Sequence, residues 1–176
     1  MMTLPLMAAA GDTKIRVRSG TRGVGLFVDG KYVGPAGRFS VPEKYPIEPG
    51  SHEITLKDPR YEDFTATINA QAGKTTKLSA KMKKKVIQGP FGRLRLKGSE
   101  SESFWPVAAG EAGPVFVNGN FMGHVDELND VGGGLLLNPG TCELKVISQI
   151  HGEFMKAVTI EAGKVSAVVY GTAKER

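Results

Sequence analysis

Val28-Asp29-Gly30-Lys31-Tyr32-Val33-Gly34 and Val117-Asn118-Gly119-Asn120-Phe121-Met122-Gly123 start 89 residues apart and follow one plan. An apolar strand end meets a two-residue turn, then an aromatic residue, then a glycine. Asp29-Gly30 and Asn118-Gly119 are the dipeptides of a type I′ hairpin, whose two central residues both take positive φ. Each stretch therefore predicts two antiparallel strands joined by a tight turn. Their likeness predicts that the chain carries one small domain twice.

Two further motifs keep the register. Ile47-Glu48-Pro49-Gly50 through Leu56 aligns with Leu137-Asn138-Pro139-Gly140 through Val146, and Ile68 to Lys74 aligns with Val158 to Lys164, both 90 residues apart. Pro49-Gly50 and Pro139-Gly140 predict type II turns, in which Pro presets φ and Gly takes the left-handed position. Ala72-Gly73-Lys74 and Ala162-Gly163-Lys164 supply a third reversal.

Between these turns the pattern has period two. Phe64, Ala66, Ile68 and Ala70 alternate with Thr65, Thr67 and Asn69, as in a half-buried strand. Ile15 and Val17 alternate with Lys14, Arg16 and Arg18; Leu94 and Leu96 alternate with Arg93, Arg95 and Lys97; Ile54 and Leu56 answer to Leu144 and Val146. Phe154, Val158 and Ile160 share a parity. No stretch holds a helical period for three turns, although Asp126 to Asp130 fits one short helical turn. The fold class is therefore all-β: two small antiparallel β-sandwich domains in tandem, arising from an internal duplication. Repeat one is expected over 12–82, a linker over 83–90, repeat two over 91–172 and a tail over 173–176.

Composition narrows the function. Gly 23 and Pro 10 make roughly 19% of 176 residues, against about 12% in average usage, which fits a turn-rich chain. One cysteine excludes an internal disulfide framework and a multi-cysteine zinc site. No run of 18 apolar residues predicts a transmembrane helix. Residues 1–11 end in Met7-Ala8-Ala9-Ala10 before Gly11. That pattern is the tail of a secretory signal or else a disordered N-terminus. Charge is uneven: residues 1–88 hold 15 Lys/Arg and 8 Asp/Glu, residues 89–176 hold 8 and 10. Lys74, Lys77, Lys81, Lys83, Lys84 and Lys85 cluster at the end of the first half. Such a run attracts anionic polymer through counterion release. No interleaved aromatic residue equips it for base stacking.

The chain resembles the PEGA domain family. The residues that carry the resemblance are Val28-Asp29-Gly30, Gly34-Pro35, Pro49-Gly50-Ser51-His52, Tyr61 and Ala72-Gly73-Lys74. It covers most of Ile15–Ala80 and, more loosely, Leu94–Tyr170. Where the family has its P-x-G-A signature, this chain has Gly20-Thr21-Arg22-Gly23-Val24-Gly25. Copy two has Cys142 in the slot of His52 and His151 in that of Tyr61, and inserts Ser99 to Gly113 before its hairpin. The resemblance implies a small β-sandwich module of prokaryotic envelope or surface-layer proteins, non-catalytic and placed outside the cytoplasmic membrane.

The remaining candidates are weighed as chemistry. Cys142 shares parity with Leu144 and Val146, so it is expected inward as a small core residue, whereas a reactive thiol needs an open, electropositive setting. His52, in the same slot, is expected to pack or to bond a turn. His124, near Asp126 and Glu127, offers too few ligands for zinc, and Asp126–Asp130 lacks the alternating oxygens of a calcium loop. Gly132-Gly133-Gly134 is not followed by Lys-Ser/Thr as a phosphate loop requires. Phe104 and Trp105 are either a loop contact for a sugar or protein partner or a cap on a small core. Tyr32 and Phe121, in equivalent slots, are expected to be structural. Partner contact is thus assigned to Phe104, Trp105, Lys81, Lys83, Lys84 and Lys85. No catalytic residue, metal or cofactor is expected. The function expected is a non-enzymatic envelope module contacting surface proteins or polysaccharide. The competing classes are an intracellular regulatory or nucleic-acid-associated module and an enzyme using His124 or Cys142.

Overall fold

A computed structural model describes residues 13–21, 23–97, 113–128, 134–148 and 152–170. The described residues are all-β apart from two short helical turns, and their strands form four sheets in two sets. Two compact units emerge. The first takes the described residues up to Leu56 together with Asp63–Lys83; the second takes Lys57–Glu62 and the described residues from Lys84 onward.

In the first unit the strands are β1 (Lys14–Arg18), β2 (Gly25–Val28), β3 (Lys31–Pro35), β4 (Tyr45–Pro46), β5 (Gly50–Lys57), β6 (Phe64–Ala70) and β7 (Thr75–Ser79), with a 3-10 turn at Ala36–Phe39. They make a four-stranded sheet in the order β3-β2-β5-β6 and a three-stranded sheet in the order β4-β1-β7. Ile15 and Val17 from the smaller sheet join Leu26, Ile54 and Leu56 from the larger in one fully buried cluster. The alternation read in the sequence sets this for Ile15, Val17, Ile54 and Leu56, each of which sits one position from a Lys, Arg, Glu or Thr, whereas Leu26 belongs to a strand buried at every position.

The second unit repeats the plan: β8 (Gly92–Lys97), β9 (Pro114–Val117), β10 (Asn120–His124), helical turn α1 (Val125–Leu128), β11 (Leu135–Leu137), β12 (Gly140–Ser148), β13 (Gly152–Ile160) and β14 (Val165–Val169). Its sheets run β10-β9-β12-β13 and β11-β8-β14, the same order strand for strand. Leu94, Leu96, Val115, Leu144 and Val146 form a separate core. Even the irregularities recur. Val33 and Met122 each bulge out of the ladder, in β3 against β2 and in β10 against β9.

Two sequence expectations are modified. The larger sheets are antiparallel throughout, but each smaller sheet contains a parallel pair, β1 with β7 and β8 with β14. After β6 the chain reverses at Gly73 and joins the other sheet beside β1, with the Lys14 N–H donating to Lys74 O at 3.0 Å. Period-two alternation is identical for either direction, so the pattern did not distinguish them. Second, Gly50 and Gly140 have φ of 138° and 136° and already open β5 and β12. A type II turn needs about +80° at that position. Lys84 is bridged to Tyr61, and the Lys85 N–H donates to Arg60 O at 2.9 Å.

Candidate functional site

The hairpin that decided the fold also lines a cleft of the first unit. Asp29 and Gly30 have φ of 50° and 78°, and Asn118 and Gly119 have 49° and 74°, the positive pair that a type I′ turn demands. The turn residue then reaches across to the neighbouring strand. The Asp29 N–H donates to Glu53 O and the Glu53 N–H to Asp29 Oδ1, both at 2.9 Å. In the second unit the Asn118 N–H donates to Glu143 O at 2.9 Å, and the Glu143 N–H to Asn118 Oδ1 at 2.8 Å. The side chain thus adds one rung to the ladder beyond the strand end. Behind each turn an aromatic pair covers the sheet edge-to-face, Phe27 with Tyr32 at 5.5 Å and Phe116 with Phe121 at 5.9 Å.

Among the described residues, only the first unit adds a second side-chain bond from the turn. Asp29 Oδ2 lies 2.7 Å from His52 Nδ1, and His52 Nε2 lies 2.9 Å from the Glu48 carbonyl oxygen. Both partners are acceptors, so each ring nitrogen must carry a hydrogen to complete both bonds, which is the imidazolium form. The hydrogen bond to Asp29 accordingly raises the His52 pKa above its ordinary value, helped by the Glu48 bond and opposed by burial. The bond from His52, then that from the Glu53 N–H, lowers Asp29. The His52 side chain is 15% exposed, that of Asp29 53%. This pair lines an open concavity of about 570 Å³ together with the apolar side chains of Val28, Val33 and Ile47, the ring of Tyr45, and Lys31 and Glu48. Sequence reasoning missed the pair because 23 residues separate its members. The only hint was His52 standing in the slot of Cys142.

Chemically the pair is a cross-link. A general base needs a free ring nitrogen near the proton it takes, and here both nitrogens are bonded to the turn and the strand entry.

The other candidates separate. Cys142 is 9% exposed, opposite Val158 across the β12–β13 ladder, and burial pushes its thiol pKa up. That is the setting of an inert core thiol. His124 is 1% exposed at the end of β10, its ring 5.2 Å from that of Phe121 and its Nδ1 3.5 Å from Glu127 Oε2. Among the described residues no three His, Cys, Asp or Glu are grouped to hold a metal ion. Lys81, Lys83, Lys84 and Lys85 are exposed. Phe104, Trp105, His151, Gly132, Gly133 and residues 1–11 lie outside the described residues, as does the Asp126 side chain. No helix among the described residues is long and apolar enough to cross a membrane.

A scan of family models adds one finding. Residues 13–86 match the PEGA domain. The match takes in β1 through β7, and thus the Asp29–His52 cleft, and ends before β8. No curated protein and no solved structure matches the chain. The PEGA family is non-catalytic, which fits a module without enzymatic activity. The second unit lies beyond the match and carries the same strand order.

Proposed function

We propose that the chain is a non-catalytic contact module of the cell envelope, exported beyond the cytoplasmic membrane, that holds envelope or surface proteins or polysaccharide. The observation that carries this reading is the use made of the carboxylate–imidazole pair in the PEGA-matched unit: Asp29 and His52 fasten the hairpin to β5 through bonds at both ring nitrogens. The residues best suited to acid–base chemistry thereby rigidify a cleft, and strands β3 and β4 remain sheet edges beside it. An edge of this kind accepts a partner strand by backbone pairing. The second unit is read as a diverged second copy of the same domain, on the evidence of matched strand order, hairpin and bulge. Residues 1–11 are read as the end of an export signal.

Fractionation of the native host, with cross-linking and mass spectrometry of a C-terminally tagged chain, tests the proposal. A mature N-terminus near Gly11 and enrichment with envelope proteins or glycan is the expected outcome. An intact Met1 in the cytosol, bound to nucleic acid or a regulator, overturns it.

A further inference from the structure

The outer face of the three-stranded sheet in the first unit carries a band of positive charge that register assembles. Lys14 stands opposite Thr75 and Pro46, Arg16 opposite Lys77, and Arg18 opposite Ser79. Residues paired across a ladder share a face, and Ile15 and Val17, between them, point inward and are fully buried. Lys44 reaches the same face, its Nζ 3.4 Å from Thr75 Oγ1. Five cations and two hydroxyls therefore lie together with no Asp or Glu among them. Lys14, Arg16, Arg18 and Lys77 have no carboxylate partner among the described residues, while Glu43, next to Lys44, is held by Arg38 at 2.7 Å. The Arg16 Nε is shielded from water and has no hydrogen-bond partner.

Physical chemistry makes this arrangement a site. Like charges directly opposite on a sheet repel, so the Arg16–Lys77 pair costs the folded state stability that an anion would restore. Same-face residues along a strand are spaced about 6.6–6.8 Å and neighbouring strands about 4.8 Å, which turns the cations into a grid instead of a single point. The central strand of the second unit keeps cations, Arg93, Arg95 and Lys97, at the register positions of Lys14, Arg16 and Arg18, but the fold does not require the rest of the band: Thr75, Lys77 and Ser79 correspond to Val165, Ala167 and Val169, and Leu136, Val165 and Val169 are 42%, 55% and 46% exposed.

We infer that this face of β1 and β7 binds a linear acidic polysaccharide, its carboxylates bridging Arg16, Arg18, Lys14 and Lys77. The inference rests on the envelope reading and gives it a ligand class and a surface. Arginine presents parallel N–H donors that match a carboxylate, and Thr75 and Ser79 offer hydroxyls to sugar. Nucleic acid is disfavoured because no aromatic ring lies on the face for bases to stack on.

The test uses the full chain and polygalacturonate as the probe, titrated from about 50 to about 300 mM salt, since polyanion binding falls linearly in log K against log salt. Arg18→Gln with Lys77→Gln is expected to weaken binding roughly tenfold at the low end and to flatten the slope by about 1.5–2. Lys145→Gln with Lys156→Gln removes the same net charge from β12 and β13 of the second unit and is expected to leave both within about twofold of wild type. Circular dichroism establishes that each variant is folded, and Lys77→Arg is expected to retain binding. Equal losses in the two double variants, no binding by the wild type, or tighter binding of oligo-dT overturns the inference. A chain found in the envelope that ignores the polymer defeats this inference and leaves the contact-module reading standing.

Discussion

The same hairpin stands in both units, but the ionisable groups that line the cleft of the first are replaced by neutral ones at the matching positions of the second. Aligned through the shared strand order, Asp29, Lys31, Glu48 and His52 correspond to Asn118, Asn120, Asn138 and Cys142. The backbone work of the turn survives the exchange. Asn118 Oδ1 accepts from the Glu143 N–H at 2.8 Å where Asp29 Oδ1 accepts from the Glu53 N–H at 2.9 Å. An amide oxygen and a carboxylate oxygen do this equally well. What vanishes is the second oxygen's bond to an imidazole. The fold thus needs an acceptor at this position, and the charge belongs to the first unit alone.

The largest effects should be blind to that difference. Ile54 and Leu144 are both fully buried, in separate cores. Ile54→Ala and Leu144→Ala are each expected to cost about 2–5 kcal/mol from lost burial and an unfilled cavity. Denaturant midpoints with unchanged m-values would show it. A much smaller loss in one unit would mean that its core collapses around the gap.

Next in size is a place where the copies diverge in backbone geometry. Gly92 takes the position of Thr13. In the first unit Thr13 Oγ1 accepts from the Gly73 N–H at 3.0 Å; in the second the Gly163 N–H donates to Phe91 O at 2.8 Å. A Cβ on Gly92 would run into the Glu161 carbonyl and the Ile160 side chain. Gly92→Ala is therefore expected to lose about 1–3 kcal/mol through forced backbone movement. Thr13→Ala should lose about 0.5–1.5 kcal/mol, the worth of one hydrogen bond. Thermal unfolding of the two variants side by side checks the order, and a harmless Gly92→Ala would show that β8 has room to shift.

These contrasts mark what was legible beforehand. The duplication was, because turn residues such as Asp29-Gly30 and Asn118-Gly119 are local and recur at a fixed offset. Inward positions such as Ile15, Ile54 and Leu144 were, because alternation reports a strand's face. Strand direction was not, and it had consequences. The parallel pairing of β7 with β1 sets Lys77 opposite Arg16, so a lysine cluster that looks linear in sequence is split between a sheet face and the segment after it. The Asp29–His52 bond was equally invisible, since each residue alone has a sufficient local explanation, as turn and as strand start.

The smallest predicted effect is the one specific to the charged cleft, and it has a sign at each end. His52 is raised, so its contribution to stability is complete below about pH 6.5, its unfolded pKa, and fades as pH rises through the higher folded value. Asp29 is lowered, so its contribution is complete above about pH 4 and fades as pH falls through the still lower folded value. The pair therefore stabilises most between about pH 4 and about pH 6.5. Asp29→Asn keeps the acceptor for the Glu53 N–H and removes the charge facing His52. It should lower the melting temperature by a few degrees or less near pH 6, and the loss should shrink as pH rises through the raised folded pKa of His52. The reciprocal transplant is the sharper test. Asn118→Asp with Cys142→His places the same two groups on the same turn and strand of the second unit. If the hairpin geometry alone creates the coupling, this double variant acquires a stability maximum on the acid side of neutrality that neither single substitution shows. If it does not, the Asn138 carbonyl is not presented to the ring as the Glu48 carbonyl is, and the strand entry, more than the turn, sets the charge state of the cleft.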